Sequence, residues 1–474
     1  MSAGAVRLGR CVTVVGLPAL VALTAGWLFL GTGPVRTAVV WAALTALAGC
    51  VLAVTGCVLG AGRVTPERAY ELTLDAARVP APGPGAAPPA TLHGTRWTWA
   101  RITALTVAVP TALMLFFSLG GGEADRSPTA GRIADSHYVI KELPVVAVGN
   151  VERAGSSRRA SSTADYTVRL PSAHGGKTVP ATFRTEVSKG VREVGDTFPV
   201  AYAPDQPQLG AVGAKSRSDV ETQLAGRTLT QGSFFLTVIM WAVLGAVMFA
   251  VGTSIAFLPR GRRRVTPDWV ALRATATGLA EHVEPPSDGD AKKGNKKSAA
   301  RYQCLNLRTE TGDVPLNLAA SHKRAAPLLV GSEGWLLWNP AASKGKAAAS
   351  KGKAAAEFVA DAGWQLPGRV PAAEATRIAA RPRGPVPLDA GRQVRLLELG
   401  SLWPRTVPVG VLLGLIVSVA AVGALLLPAD GGWRAWAAVA GALAPFLVWM
   451  LGGLFTSPAK TPEPGVQAGG GPAV

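Results

Sequence analysis

No Asp, Glu, Lys, Arg or His occurs in any of six long apolar stretches of this 474-residue chain. Each stretch is long enough for a helix to cross the hydrocarbon core of a bilayer, which takes about 20 residues. Only helices or closed barrels satisfy backbone polar groups there. Transporters, pumps and channels usually keep ionisable residues inside the membrane, so this absence argues against those classes. The stretches are residues 12–30, 37–59, 102–119, 234–258, 407–427 and 435–454.

Cysteine and histidine are also scarce. Three of the four cysteines lie in or at the first two stretches, and Cys304 lies in a later loop. Residues 120–231 contain no cysteine, which excludes a disulfide framework there, and no cysteine–histidine spacing typical of zinc sites occurs. The five histidines stand singly. We therefore expect no metal and no cofactor.

Three motifs approach catalytic or nucleotide-binding patterns without matching them. Residues 289–298 resemble a P-loop, but Asn295 stands where the motif needs Lys and no strand precedes it. Ser332 lacks nucleophile-elbow spacing. Asp196 and Asp205 lie in turn-like sequences, where carboxylates usually bond nearby backbone. No catalytic residue is predicted, and the chain is not expected to be an enzyme.

Positive charge is concentrated between particular stretches. Residues 120–231 hold 14 Lys/Arg and 12 Asp/Glu, whereas residues 259–406 hold 24 and 13. Cytoplasmic loops of membrane proteins are enriched in Lys and Arg, so the second segment is placed inside and the first outside. Arg7 and Arg10 precede the first stretch, which is too long for a typical signal peptide and is interpreted as an uncleaved helix. Both termini are then cytoplasmic, in a multi-pass protein of a bacterial plasma membrane.

The excess of Lys and Arg also predicts which partners the protein binds. Arg260, Arg262, Arg263 and Arg264 directly follow the fourth stretch. Such a cluster suits anionic lipid headgroups, at about 1 kcal/mol per charge near the surface. No base-reading element accompanies the net charge of +18, so no nucleic-acid partner is expected. The expected partners are the lipid bilayer and an unidentified envelope or cytoplasmic protein.

The spans define the predicted fold class, an α-helical polytopic membrane protein with six transmembrane helices and two small β domains. Two low-complexity insertions, 285–298 and 341–356, are expected to be flexible, and residues 365–371 a turn-rich connection. The predicted parts are a transmembrane hairpin (1–62), a cytoplasmic loop (63–101), span three (102–119), an extracytoplasmic β domain (120–231), span four (234–258), a basic cytoplasmic β-rich domain (259–406), a last hairpin (407–455) and a disordered tail (456–474).

Alternating apolar and polar residues predict strands in the outer domain. Residues 145–148 are a predicted strand ending at Gly149, and residues 166–170, 177–183 and 197–202 are further strands. Four or five short strands without a helix signal predict a compact barrel or sandwich. The predicted turns are His174-Gly-Gly176, Val194-Gly-Asp196, residues 203–207, and an exposed tip at 155–162 that carries Arg158 and Arg159.

These strand and turn residues carry a resemblance to a known family. It rests on the order Gly149-Asn-Val151, Tyr166-x-Val168, a Gly-Gly turn, Val194-Gly-Asp196 and Val200-x-Tyr202-x-Pro204-x-x-Pro207. The order is similar to the bacterial membrane-associated domain of unknown function family number 3592, over about residues 138–212. The resemblance implies a fold and a membrane location, with no assigned chemistry.

The basic domain is interpreted as a possible divergent second copy of the outer one. An ungapped shift of 136 residues places Tyr166 on Tyr302, Gly176 on Gly312, Val194-Gly195 on Val330-Gly331, Tyr202 on Trp338 and Pro204 on Pro340. At this shift, Leu305 and Leu307 are out of phase with Val168 and Leu170.

The function favoured by these features is a non-enzymatic binding or scaffolding role at the bacterial cell envelope. The competing function is that of a transporter or channel-like protein, with a path between helices kinked at Pro18, Pro110 and Pro445. A polar cavity within the bundle would favour transport, whereas a dry, apolar interior would count against it. An enzymatic hypothesis would need a pocket gathering Asp196, Asp205 and a histidine.

Overall fold

A computed structural model describes most of the chain. The described residues are 3–77, 86–120, 127–154, 161–173, 178–187, 191–229, 231–256, 262–266, 268–284, 300–318, 322–340, 353–380, 386–427 and 433–455. The contacts divide the chain into two compact units, which are described separately. The first unit comprises residues 1–17, 56–111 and 237–406, and the second comprises residues 18–55, 112–236 and 407–474.

Ten helices lie in the described part of the chain, and each of the six predicted apolar stretches overlaps one long helix over most of its length. Four are long and apolar enough to cross a membrane, over Arg7–Phe29, Pro34–Ala61, Thr98–Gly120 and Ser233–Thr253. The fifth apolar helix, Val409–Leu425, has only 17 residues. The helices are α1 (Ala3–Phe29), α2 (Pro34–Ala61), α3 (Pro66–Ala77), α4 (Arg96–Gly120), α5 (Pro128–Ala134), α6 (Arg217–Ala225), α7 (Gln231–Ala256), α8 (Ala372–Ala379), α9 (Val409–Leu425) and α10 (Trp433–Phe455).

Fourteen strands in the described residues form two larger sheets and one short ribbon. The ribbon pairs β1 (Thr91–Leu92) with β7 (Arg263–Arg264). The others are β2 (Val139–Ala154), β3 (Ser161–Leu170), β4 (Val179–Val187), β5 (Thr197–Tyr202), β6 (Val212–Gly213), β8 (Val270–Glu284), β9 (Ala300–Thr309), β10 (Gly312–Leu318), β11 (Glu333–Trp338), β12 (Lys353–Ala360), β13 (Trp364–Pro371) and β14 (Arg395–Leu396).

The β domain of the second unit is a five-stranded sheet in the order β4-β3-β2-β5-β6. Three consecutive strands form a meander and the fourth lies beside the first, which is a Greek key. Gly213 of β6 lies against the Phe183 ring of β4, so the sheet curls towards closure. The result is a partly open Greek-key barrel, the architecture of OB-type barrels. Its core contains the rings of Tyr166, Phe183 and Phe198.

Two sequence predictions for this domain are corrected by the structure. The first strand does not end at Gly149 but continues to Ala154, because a β-bulge between Gly149 and Glu152 absorbs the irregularity. Asn150, in the bulge, has a φ of 45° and its amide donates to Asp165 at 2.7 Å. The domain is not free of helices: α5 and α6 flank the strands and pack together in an apolar cluster containing Ile133 and Val220.

The β domain of the first unit is a closed barrel. Its strand order is β10-β9-β8-β11-β12-β13, and β10 pairs back onto β13. Two predicted loops are therefore wrong. Residues 365–371 belong to β13 and are almost entirely buried, and residues 353–356, at the end of the predicted flexible insertion, begin β12. Ala354 and Ala356 lie in the barrel core, which outweighs the low strand propensity of alanine.

The two barrels share one detailed feature at a bulge in the first strand. Gly195 donates its backbone N–H to Val145 O at 2.9 Å, and Val145 N–H donates to Asp196 O at 2.8 Å. In the other barrel Gly331 donates to Ala276 O at 2.7 Å, and Ala276 N–H donates to Ser332 O at 2.9 Å. Both glycines have positive φ, +100° and +82°. The turn and the strand after it therefore match at the predicted shift.

The predicted ungapped shift is wrong for the preceding strands. In the barrel of the second unit Val145 pairs with Val168, and in the barrel of the first unit Ala276 pairs with Leu307. Tyr166 therefore corresponds to Leu305 rather than Tyr302. The segment from Leu307 to Gly331 is three residues shorter than the segment from Val168 to Gly195, and this odd difference restores the inward phase of the apolar side chains of β9.

Candidate functional site

The ribbon of β1 and β7 connects two long apolar helices to the barrel of the first unit. The β1 strand lies just before α4, and β7 lies just after α7. Thr91 pairs with Arg264, and Leu92 pairs with Arg263. Leu92 and Val265 are buried with Leu337 and Val359 of the barrel wall. The ribbon therefore lies against the barrel.

A buried polar cluster holds this ribbon to β12 and β13. Gln365 is fully buried, and its side chain bonds both backbone groups of His93 at 3.0 and 2.9 Å. The amide of Gln365 also donates to the carboxylate of Glu357. Glu357, 2% exposed, forms an ion pair with Arg263 of β7. Burial lowers the pKa of Arg263, and its ion pair with the carboxylate offsets part of the cost of burying the charge.

A second cluster fixes the segment that precedes β1. Arg392 is 7% exposed and donates to the carbonyls of Ala87 at 2.7 Å and Ala360 at 3.0 Å. Its guanidinium also lies 3.3 Å from the carboxylate of Asp361, which pairs with Arg273 as well. Trp335 of β11 donates its indole N–H to the carbonyl of Ala86 at 2.7 Å. Segment 86–93 is thereby bonded along its length to the barrel.

The chemistry of the two clusters is that of an anchor. Each carboxylate, Glu357 and Asp361, is paired with arginine, and Gln365 and Arg392 also donate to main-chain carbonyls. Buried ion pairs of this kind are strongly destabilised when one partner is removed. The arrangement fixes where the barrel is held relative to the ends of α4 and α7.

A buried histidine lies on another side of the same barrel. His322 is 3% exposed, and its Nε2–H donates to the carbonyl of Leu397 at 2.9 Å. The ring of Tyr70, on α3, lies 6.4 Å away between centroids, and Tyr70 belongs to the barrel core. Burial lowers the pKa of His322 and raises the pKa of Tyr70, so both side chains are neutral near pH 7.

The barrel of the second unit is fastened to the α1–α2 turn of the same unit. Thr32 donates its N–H to the carbonyl of Ala225, the last residue of α6, at 3.0 Å. Arg36 is buried, donates to the carbonyl of Gly226 at 3.2 Å and lies 4.2 Å from the ring centroid of Trp27. Thr228 donates its hydroxyl to the Trp27 carbonyl at 3.0 Å. The C-terminus of α6 is thus held by the turn.

Arginine side chains also cap the C-termini of two apolar helices. Arg434 is buried and donates to the carbonyls of Leu425, at 2.7 Å, and Leu427, at the end of α9. Arg405 donates to the carbonyls of Ala61 and Gly62 at the end of α2. Cations are favoured at helix C-termini, where carbonyls lack intrahelical partners. The side chains of Arg36 and Arg434 are both buried in the protein.

The sequence-predicted candidates are dispersed. Asp196 lies in the predicted turn, and its carboxylate accepts from Glu193 N–H at 3.0 Å. Asp205 is exposed in the turn after β5, and Ser332 belongs to the turn after Gly331. Arg158, Arg159, His174, the P-loop-like residues 289–298 and Arg260 lie outside the described residues.

The arginines that follow the fourth apolar helix have different environments in the structure. Arg263 turns towards Glu357 and is therefore unavailable as a headgroup contact, which corrects that part of the prediction. Arg264 is exposed, and Arg262, also exposed, donates to the Thr91 hydroxyl at 3.3 Å. Strand alternation explains the difference, since neighbouring residues of β7 point to opposite faces.

Sequence reasoning missed the residues that matter most here, namely Gln365, Arg392 and Glu357. Only Glu357 left a signal, because a carboxylate stands alone in the apolar run Ala354–Ala360 of β12. Among the residues that the structure describes, no group of three or more His, Cys, Asp or Glu side chains could hold a metal ion.

Comparison with known proteins adds no relative. No protein-family model matches the chain, and no curated protein or solved structure matches it significantly.

Proposed function

We propose that this chain is a non-enzymatic integral membrane protein of a bacterial plasma membrane, with a binding or scaffolding role at the cell envelope. It crosses the membrane six times, keeps both termini in the cytoplasm, and carries one small barrel on each side. The observation that carries the proposal is the fastening of each barrel to helix ends by buried polar contacts, through Gln365 and Arg392 in one unit and Arg36 in the other.

Membrane insertion is supported by apolar side chains that the protein itself leaves uncovered. On α7, Phe235, Ile239 and Val243 are 64%, 59% and 56% exposed. Exposed large apolar side chains cover most of this helix, apart from the face where Gly245 and Gly252 lie against α4, and only 6% of its most apolar part is buried. A contiguous apolar surface of this size in water is costly, at roughly 25 cal/mol per Å². Lipid chains would cover it.

The six-span count extends the four helices that meet the length and composition requirement. The α9 helix would cover about 25 Å at 1.5 Å per residue, close to the ~30 Å hydrocarbon core. The α10 helix has 23 residues and packs tightly on α9, where Gly414 lies against the backbone of Pro445. A closely packed helix pair of this kind fits a last transmembrane hairpin.

The proposed sidedness is supported by an observation independent of charge. The segments assigned to the cytoplasm, namely the N-terminus, residues 63–101 and residues 259–406, all fall in the first contact unit. The 31–36 turn and residues 120–231, assigned to the outside, fall in the second. Arg262 and Arg264 would then contact anionic headgroups at the cytoplasmic surface.

An anchoring role is favoured over transport by the interior of the second unit. Its helices pack through a cluster of buried apolar side chains that includes Leu23, Leu115 and Leu425. Ser418 directs its hydroxyl to the carbonyls of Gly414 and Gly441 at 2.9 and 2.6 Å, which ties two helices together. The helices containing Pro18, Pro110 and Pro445 continue through these residues.

Two measurements test the membrane placement. The full-length protein should stay in the membrane pellet after alkaline carbonate extraction. Alkaline phosphatase fused after Ser216 should be active, and the same enzyme fused after Lys353 should be inactive. Release by carbonate, activity of the second fusion or inactivity of the first would contradict the proposal.

The binding role needs a separate experiment. A photoreactive amino acid placed at Tyr138 or Val146, both on the exposed surface of the outer barrel, should give discrete crosslinked bands in living cells. The same probe at Phe198, which is fully buried, is the control. Equal crosslinking from all three positions, or none from the exposed ones, would count against a binding surface there.

A further inference from the structure

A cavity of about 580 Å³ opens in the second unit beside α6. Its volume lies within the ~300–1,000 Å³ range of ligand sites in proteins. One wall is apolar and comes from the end of α1 and the start of α7, with the Phe29 and Phe234 rings packed edge to face at 5.4 Å between centroids. This wall is formed by Leu28, Phe29, Leu229 and Phe234.

A second wall is polar and carries one cation that lacks an ion-pair partner among the described residues. It is formed by Ser218, Glu221, Thr222 and Arg227. Glu221 forms an exposed ion pair with Arg217, one helical turn away, at 3.2 Å. Arg227 is exposed, and among the residues that the structure describes its side chain has no ion-pair partner. A ligand in this cavity therefore meets both the Arg227 guanidinium and the aromatic rings of Phe29 and Phe234.

The position of Arg227 is fixed although its side chain is exposed. Its backbone N–H donates to the carbonyl of Thr222 at 3.0 Å, beyond Gly226 in the left-handed conformation, which is a Schellman motif. The residue before it is held by Arg36 and the residue after it by the Trp27 carbonyl. Preorganisation of this kind lowers the entropy lost on binding.

We propose that this cavity binds a phospholipid, with the upper part of an acyl chain on the Phe29–Phe234 wall and the phosphate at Arg227. The inference rests on the proposed function, because it requires the ends of α1 and α7 to lie at the outer membrane surface. An amphiphile is the ligand class that satisfies both walls at once. A guanidinium binds phosphate oxygens through paired, charge-assisted hydrogen bonds.

The test uses the full-length protein, purified in a neutral maltoside detergent and titrated by native mass spectrometry. The probes are dioleoylphosphatidylglycerol, dioleoylglycerol, which has the same chains without phosphate, and glycerol phosphate, which has no chains. The phospholipid should bind most tightly. Arg227→Gln should weaken its binding about 10-fold or more, as expected for hydrogen bonds to a charged group, and should leave dioleoylglycerol binding unchanged. Arg132→Gln, at an exposed arginine of α5 that does not line the cavity, is the matched control.

The apolar wall has its own pair of variants. Phe234→Ala should weaken binding of both chain-bearing probes, whereas Phe235→Ala, the neighbouring residue outside the cavity lining, should not. Equal effects of Arg227→Gln and Arg132→Gln, or of the two phenylalanine variants, would overturn the proposal. Equal binding of phospholipid and dioleoylglycerol would also overturn it, and glycerol phosphate binding as tightly as the lipid would indicate a free-phosphate site instead. Because carbonate extraction tests membrane insertion separately, failure here leaves the proposed function standing.

Discussion

Gln365 holds the backbone of His93 from both sides. Its amide oxygen accepts from the His93 N–H at 3.0 Å, and its amide nitrogen donates to the His93 carbonyl at 2.9 Å. The same nitrogen reaches Glu357. A fully buried side chain on β13 therefore replaces a strand partner for the segment that leads into α4.

Loss of this contact should destabilise the first unit. Gln365→Leu keeps the approximate volume but leaves both His93 backbone groups without their partner, and we expect a loss of about 3 kcal/mol. Tryptophan-fluorescence unfolding of the detergent-solubilised protein measures the change. Gln303→Leu, at an exposed position of β9, is the control and should change stability by less than about 0.5 kcal/mol. Similar midpoints for the two variants would contradict an anchoring role for Gln365.

The shared bulge contact predicts matched effects in the two barrels. Gly195→Ala and Gly331→Ala each place a Cβ at a positive φ in otherwise open space, so the expected cost is backbone strain of about 1–2 kcal/mol. Hydrogen exchange read by mass spectrometry should be faster in the affected barrel, by about 5–30-fold. Gly149→Ala and Gly278→Ala, also in open space but without positive φ, are the controls within each barrel. Exchange as slow as in the controls would show that the turns are not strained.

Arg36 should hold α6 to the α1–α2 turn. Arg36→Gln removes a charge-assisted hydrogen bond to Gly226 and the contact with the Trp27 ring, together about 2–3 kcal/mol. Hydrogen exchange should accelerate in residues 217–229. Arg217→Gln is the control, because its exposed pair with Glu221 contributes little. Unchanged exchange in the Arg36 variant would exclude this fastening.

His322 predicts a pH dependence of stability. Burial lowers its pKa in the folded protein, so the unfolded chain binds this proton more readily. The contribution is complete above the unfolded pKa of about 6.5, falls as the pH drops below it, and levels off below the folded pKa. The slope approaches about 1.4 kcal/mol per pH unit for one proton. Unfolding midpoints measured from pH 8 to pH 5 test this.

The control for that experiment is a variant pair. His322→Gln keeps an N–H donor for Leu397 and should flatten the dependence below pH 6.5. His137→Gln, at an exposed position before β2, should retain the wild-type slope. A wild-type slope in the His322 variant would assign the pH dependence to other groups.

Local patterns predicted the strands whose two faces or flanking turns differ clearly. The β5 strand, Thr197–Tyr202, was predicted with its observed bounds, because a Gly-Asp turn and a proline-rich break delimit it. The β13 strand was mistaken for a loop, because Pro367 and Gly368 are poor strand residues. Barrel closure explains the glycine: a Cβ at Gly368 would lie 2.8 Å from Leu316 on β10.

The short helices were missed for a different reason. Neither α5 nor α6 has a strong apolar face, yet both carry end signals. Ser127 and Ser216 cap their N-termini, Pro128 opens α5, and Gly226 ends α6 in the left-handed conformation. Burial against each other decides that these segments are helices, and that is a tertiary effect.

The sequence by itself determined where long helices form, because charge-free apolar runs of about 20 residues have few alternatives to a helix. It also determined the glycine turns, because positive φ excludes most other residues. It could not indicate which of Arg262, Arg263 and Arg264 pairs with a buried carboxylate, because the three are neighbours of identical chemistry. Only the pairing of β7 with β1 directs Arg263 to Glu357, with Arg262 and Arg264 on the exposed side. Which polar groups are buried depends on partners distant in the chain, so that decision belongs to the tertiary structure.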